Sequence, residues 1–105
     1  MARLLADPGE ILTPTIVVYE VYKVLKRDAS EEDALLAVAQ MLRTKTVPLS
    51  ETLALEAADT SLEHSLAMAD AIVYATARAR GAELVTTDAD LEGLPGVVFL
   101  SKRKN

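Results

Sequence analysis

The sequence has no cysteine and no tryptophan, a single histidine, and only 4% aromatic residues. Without cysteine there is no disulfide scaffold, no zinc finger and no thiol nucleophile. That usage suits a reducing, cytoplasmic setting. No apolar run approaches the ~20 residues that a membrane-spanning helix needs. The first residues lack an apolar signal core and break at Pro8-Gly9, so they do not read as a secretory leader. Glycine is scarce, and Gly-x-Gly-x-x-Gly, a phosphate loop and Gly-x-Ser-x-Gly are all absent. Dinucleotide, nucleoside-triphosphate and serine-hydrolase chemistries are therefore excluded. His64 has no second His or Cys with which to build a soft-metal site and reads as a surface residue.

Basic charge is also in short supply. Eleven Lys and Arg face sixteen Asp and Glu, for a net charge of −5. This argues against broad, non-specific nucleic-acid binding, which needs a basic face. It leaves open an enzyme that holds phosphates through a metal. The one basic run, Lys102-Arg103-Lys104, reads as a solvated tail.

What is present is 105 residues, half of them apolar, enough for one domain (1–105) with a core of Ala, Leu and Val. Residues 11–13 read as a strand ending at Pro14. A helix follows over 15–27, with Val17, Val18, Val21, Val24 and Leu25 at helical spacing. Ser30 and Asp33 form a capping pattern that opens a second helix to about Leu42. Thr46-Val47-Pro48-Leu49 reads as a strand, and Pro48 places it at a sheet edge. Ser50 caps a third helix, 51–64, and a fourth runs from Ala67 to Arg80, stopped by Gly81. Strands are expected at 83–87 and 97–100. The alternation predicts an α/β fold with a mainly parallel sheet between helical layers. Ligands of such sheets sit beyond the carboxyl ends of the strands, where Asp88 falls.

Most acids lie where solvent or a helix dipole explains them, as Glu31, Glu32 and Asp33 do. Glu20 instead points along the apolar stripe of its helix, with pairing to Lys23 as the plainer account. Asp70 sits among small and apolar residues, or serves as an ordinary first-turn acid. Asp88 and Asp90 directly follow a strand, where turn residues and Mg²⁺ ligands are both common. Three carboxylate positions on separate elements carry more weight together than singly. Hard divalent cations take oxygen ligands, and such a site can activate water for phosphodiester cleavage. Without a cation the cluster would repel itself. An EF-hand is excluded because Phe99 stands at the twelfth position and Pro95 interrupts the loop. A haloacid-dehalogenase-like phosphatase is excluded because Glu92 replaces the expected Thr.

Three segments in order resemble the PIN-domain nucleases, in particular the VapC-type toxins of toxin–antitoxin pairs. They are Thr13-Pro14-Thr15-Ile16-Val17-Val18-Tyr19-Glu20, Ala69-Asp70-Ala71-Ile72-Val73-Tyr74-Ala75-Thr76-Ala77, and Leu84-Val85-Thr86-Thr87-Asp88-Ala89-Asp90-Leu91. The resemblance implies that Glu20, Asp70 and Asp88 are catalytic metal ligands, that Asp90 supports or shares the last role, and that Thr86 is a hydroxyl near the site. It also implies Mg²⁺- or Mn²⁺-dependent endoribonuclease activity on RNA, a cognate antitoxin, and a homodimer.

The family's first strand, central in its sheet, ends in an Asp that is the first metal ligand. Here residues 2–6 read as the end of a helix, and Asp7 and Glu10, in a turn, match nothing. The resemblance therefore predicts a chain N-terminally truncated relative to the family, with the central strand missing and an incomplete site that binds Mg²⁺ weakly. The two inner strands would then close up or accept a second chain. A non-catalytic module for antitoxin binding or dimerisation is the alternative.

Overall fold

The computed structural model describes residues 2–6 and 10–101. The turn expected at Asp7-Pro8-Gly9 and the basic tail lie outside the described residues. Among the described residues, five strands and four helices follow one another as β1 (Ala2–Ala6), β2 (Glu10–Pro14), α1 (Thr15–Asp28), α2 (Glu31–Met41), β3 (Lys45–Val47), α3 (Glu51–His64), α4 (Met68–Ala79), β4 (Glu83–Thr86) and β5 (Val97–Phe99). A short 3₁₀ turn, Ala89–Leu91, separates β4 from β5.

Local chemistry sets the helix boundaries much as expected. The Ser30 hydroxyl accepts the Asp33 N–H at 3.0 Å, and the Ser50 hydroxyl accepts the Leu53 N–H at 3.1 Å. Each satisfies a donor that a helix start leaves unpaired. Gly81 adopts φ 61° after α4, a left-handed turn that its missing Cβ permits. β3 is an edge strand, although Pro48 lies just past its end.

The sheet order is β3-β2-β1-β4-β5. β2 pairs parallel to β3, β4 pairs parallel to β5, and β1 runs antiparallel to both β2 and β4. Four strands therefore share one direction, and β1 alone is reversed. This corrects the expectation for residues 2–6, which form the central strand and not the end of a helix. Glu10 likewise belongs to a strand and not to a turn. The inner strands neither close up nor await another chain, because the chain's own residues fill the place between them.

The reason is geometric. Only residues 7–9 separate β1 from β2. A parallel neighbour would need a crossover of a dozen or more residues, so a connection this short allows only an antiparallel hairpin. Once in place, β1 gives hydrogen-bond partners to two strands that would otherwise expose inner edges. Burial favours the same register. Leu4 pairs with Leu12 on one side and Leu84 on the other. The three are 1%, 4% and 0% exposed, a leucine row across three strands.

That row packs on α4, whose Ala71, Val73, Tyr74 and Ala77 join the same core. Every residue of α4 from 71 to 77 is buried, because α3 covers its far side through Leu53 and Ala57 against Ile72 and Ala75. The α1–α2 pair is packed more lightly. α1 has no fully buried residue, and α2 has only Ala34. Among the described residues, no helix is long and apolar enough to cross a membrane.

Candidate metal centre

Three elements converge beyond the carboxyl end of β4. α1 enters from β2 and turns Glu20 inward from its second turn. α4 begins at Met68 and carries Asp70 in its first turn, where the helix N-terminus favours a negative charge. The segment after β4 supplies Asp88 and Asp90. Glu20, Asp70 and Asp88 line one cavity of about 240 Å³, walled by Val17, Val21, Val73 and Leu91. These apolar positions were not singled out as part of the site, although Val17 and Val21 flank Glu20 at helical spacing.

The loop after β4 is held by its own hydrogen bonds. Thr86 is 1% exposed, and its hydroxyl accepts the Asp88 N–H at 3.0 Å. Asp88 in turn caps the 3₁₀ turn, its carboxylate accepting the Asp90 N–H at 2.9 Å. The two bonds fix the direction of the Asp88 side chain relative to the sheet. The expectation that Thr86 lies beside the site is thus given a structural role.

Asp70, Asp88 and Asp90 each place a carboxylate oxygen within 4.8 Å of the other two. Like charges so close disfavour ionisation. Burial raises Asp70 to about 6, helped by its hydrogen bond with Asp88 and by the charges of Asp88, Asp90 and Glu20. A set of hard oxygen donors that resists carrying its full charge is the donor chemistry a divalent cation fits. Glu20 faces the same cavity but is not one of the three. Lys23, the partner suggested for it, lies instead over the Tyr19 ring.

β1 contributes no acid. Its residues are Ala2-Arg3-Leu4-Leu5-Ala6, and its reversed direction sets Ala2 opposite Thr86. His64 takes no part in the centre. It is half-buried edge-on against Tyr74, with ring centroids 6.0 Å apart, which corrects its reading as a surface residue.

A family model for the PIN domain matches residues 1–97. The chain belongs to the PIN-domain family. PIN domains generally use a divalent metal, and the Asp70–Asp88–Asp90 cluster could hold one. It is also similar to a solved chain from a toxin–antitoxin complex of Klebsiella pneumoniae. The two share 29% identity and superpose with a TM-score of 0.69, over 81% of this chain and 69% of that one. No curated protein matches this PIN domain in sequence.

Proposed function

We propose that this PIN domain is the VapC-type toxin of a toxin–antitoxin pair, a Mg²⁺- or Mn²⁺-dependent endoribonuclease of the cytoplasm that a cognate antitoxin restrains. The observation that carries the reading is the meeting of Asp70, Asp88 and Asp90 within 4.8 Å, with Glu20 on the same cavity. The similarity to a chain of a toxin–antitoxin complex supports the antitoxin partner. The exposed Leu35 and Leu36 of α2 are the surface we assign to a homodimer.

In this reading Asp70, Asp88 and Asp90 hold the cation, and Glu20 adds a carboxylate from across the cavity. A bound divalent cation supplies an acidified water and charge stabilisation for the leaving oxygen of a phosphodiester. The chain's own residues do the rest. Thr86 keeps Asp88 aimed through its backbone, as the 3.0 Å bond implies. Val17, Val21 and Val73 limit water at the back of the cavity, which strengthens the interactions within it.

A second reading has its own observation. The central strand brings no carboxylate, so the cation would have fewer ligands than the family's site provides. A non-catalytic module that binds antitoxin or dimerises would keep the fold and lose the chemistry. RNA cleavage with Mg²⁺ or Mn²⁺ separates the two. Cleavage that Glu20→Gln and Asp88→Asn both abolish supports the nuclease. No cleavage by the unmodified protein overturns it in favour of the module.

A further inference from the structure

The chain has four aromatic residues, Tyr19, Tyr22, Tyr74 and Phe99. Two of them lie on α1, the helix that also carries Glu20. Tyr19 is 57% exposed, a large ring left facing water. Each α1 tyrosine is matched with a lysine one turn later. Lys23 Nζ stands 4.9 Å from the Tyr19 ring centre, and Lys26 Nζ stands 5.4 Å from that of Tyr22.

At 100° per residue, Tyr22, Lys26, Tyr19 and Lys23 occupy one arc of about 100°, and Glu20 follows about 60° beyond Lys23. The aromatic and basic stripe thus lies on the side of α1 turned away from Val17 and Val21, with Lys23 as its member nearest Glu20. Not all of its charge is free. Lys26 is 3.8 Å from Glu31, and Arg27 is bonded to Asp28 at 2.7 and 2.9 Å. Lys23 lies over the Tyr19 ring, which stays 57% exposed.

Helical Tyr–Lys pairs stabilise an exposed helix only slightly. That gain does not account for placing a rare exposed aromatic with paired lysines on the helix that carries Glu20 in an acidic protein. An aromatic face with cations beside it is, however, the chemistry that holds an unpaired nucleic-acid strand. Bases stack on the ring while the cations meet the backbone phosphates.

We propose that the outer face of α1 is a landing surface for single-stranded RNA, with Tyr19 stacking an unpaired base and Lys23, seconded by Lys26, meeting phosphate. The inference rests on the nuclease reading of the acid cavity. It agrees with the net charge of −5, because one narrow stripe replaces a broad basic face. Duplex RNA, whose bases are already stacked, would not engage the ring.

The test is fluorescence anisotropy with a labelled single-stranded oligoribonucleotide, in EDTA and separately in Mg²⁺, with oligonucleotide integrity checked on a gel. Tyr19→Ala is expected to raise Kd about tenfold, and Tyr19→Phe, which keeps the ring, less than about twofold. Lys23→Gln should lower the slope of log K against log salt by about 0.7. Leu55→Ala, at an exposed α3 site, should change nothing. Equal binding by the protein and Tyr19→Ala, duplex binding as tight as single-strand binding, or no binding in either buffer would each overturn the proposal. Its failure is separable from that of the nuclease reading. Tyr19-dependent binding without cleavage removes only the latter, and cleavage with KM unchanged in Tyr19→Ala removes only the former.

Discussion

The carboxylates of Asp70 and Asp88 meet within 4.8 Å although one begins a helix and the other follows a strand. Burial and this neighbour raise Asp70 to about 6. The folded protein therefore holds a proton that the unfolded chain releases near 3.8. Metal-free stability should fall as pH rises from about 4 to about 6, then level off with respect to this group. Asp70→Asn removes that loss. In EDTA at pH 7.5 it should raise stability by on the order of 1 kcal/mol, allowing for solvent screening of a partly exposed group. The gain should vanish at pH 4. Thermal melts at the two pH values decide the matter, and a lower Tm for the variant at pH 7.5 sinks the idea.

A cation that relieves this repulsion should stabilise the fold by mass action. Mn²⁺ should raise Tm more than Mg²⁺ at equal concentration, following the general affinity order of the two metals. Asp88→Asn should abolish both shifts. Because β1 brings no acid to the site, calorimetry should find weak Mg²⁺ binding, and tight binding would contradict the missing-ligand argument.

Thr86→Val keeps the shape of a side chain that is 1% exposed but deletes the acceptor of the Asp88 N–H. The cost should be about 1 kcal/mol in denaturant unfolding. The Mn²⁺-induced rise in Tm should shrink as well, since Asp88 loses its aim. An unchanged metal response would show that the Thr86 bond is structural only.

The place of β1 can be tested through Leu4, 1% exposed between Leu12 and Leu84. Leu4→Ala should cost about 2–5 kcal/mol, as a core leucine does. Leu55→Ala, at a site 71% exposed, should cost almost nothing. Equal stability of the two variants would mean that residues 2–6 do not form the central strand.

Much of the candidate site was legible because its markers are local. Glu20 breaks an apolar stripe, Asp70 sits among small residues, and Asp88 and Asp90 follow a strand. Sequence could not separate Glu20 from the three that cluster, because that depends on how α1 leans against α4. Nor did it mark Tyr19, whose spacing to Lys23 is ordinary for a helix, and Lys23 was read only as a partner for Glu20. His64 was misplaced for a similar reason: its contact is with Tyr74, an element away.

By itself the sequence determined the helices and their ends. Ser30, Ser50 and Gly81 act within a few residues of themselves, through hydrogen bonds and backbone freedom that need no distant partner. The state of residues 2–6 was decided only by the tertiary structure. Five residues of Ala, Arg and Leu carry no period long enough to distinguish a helix end from a strand. Their fate rests on two neighbours with open edges, a leucine row that closes the core, and a link too short for any direction but antiparallel.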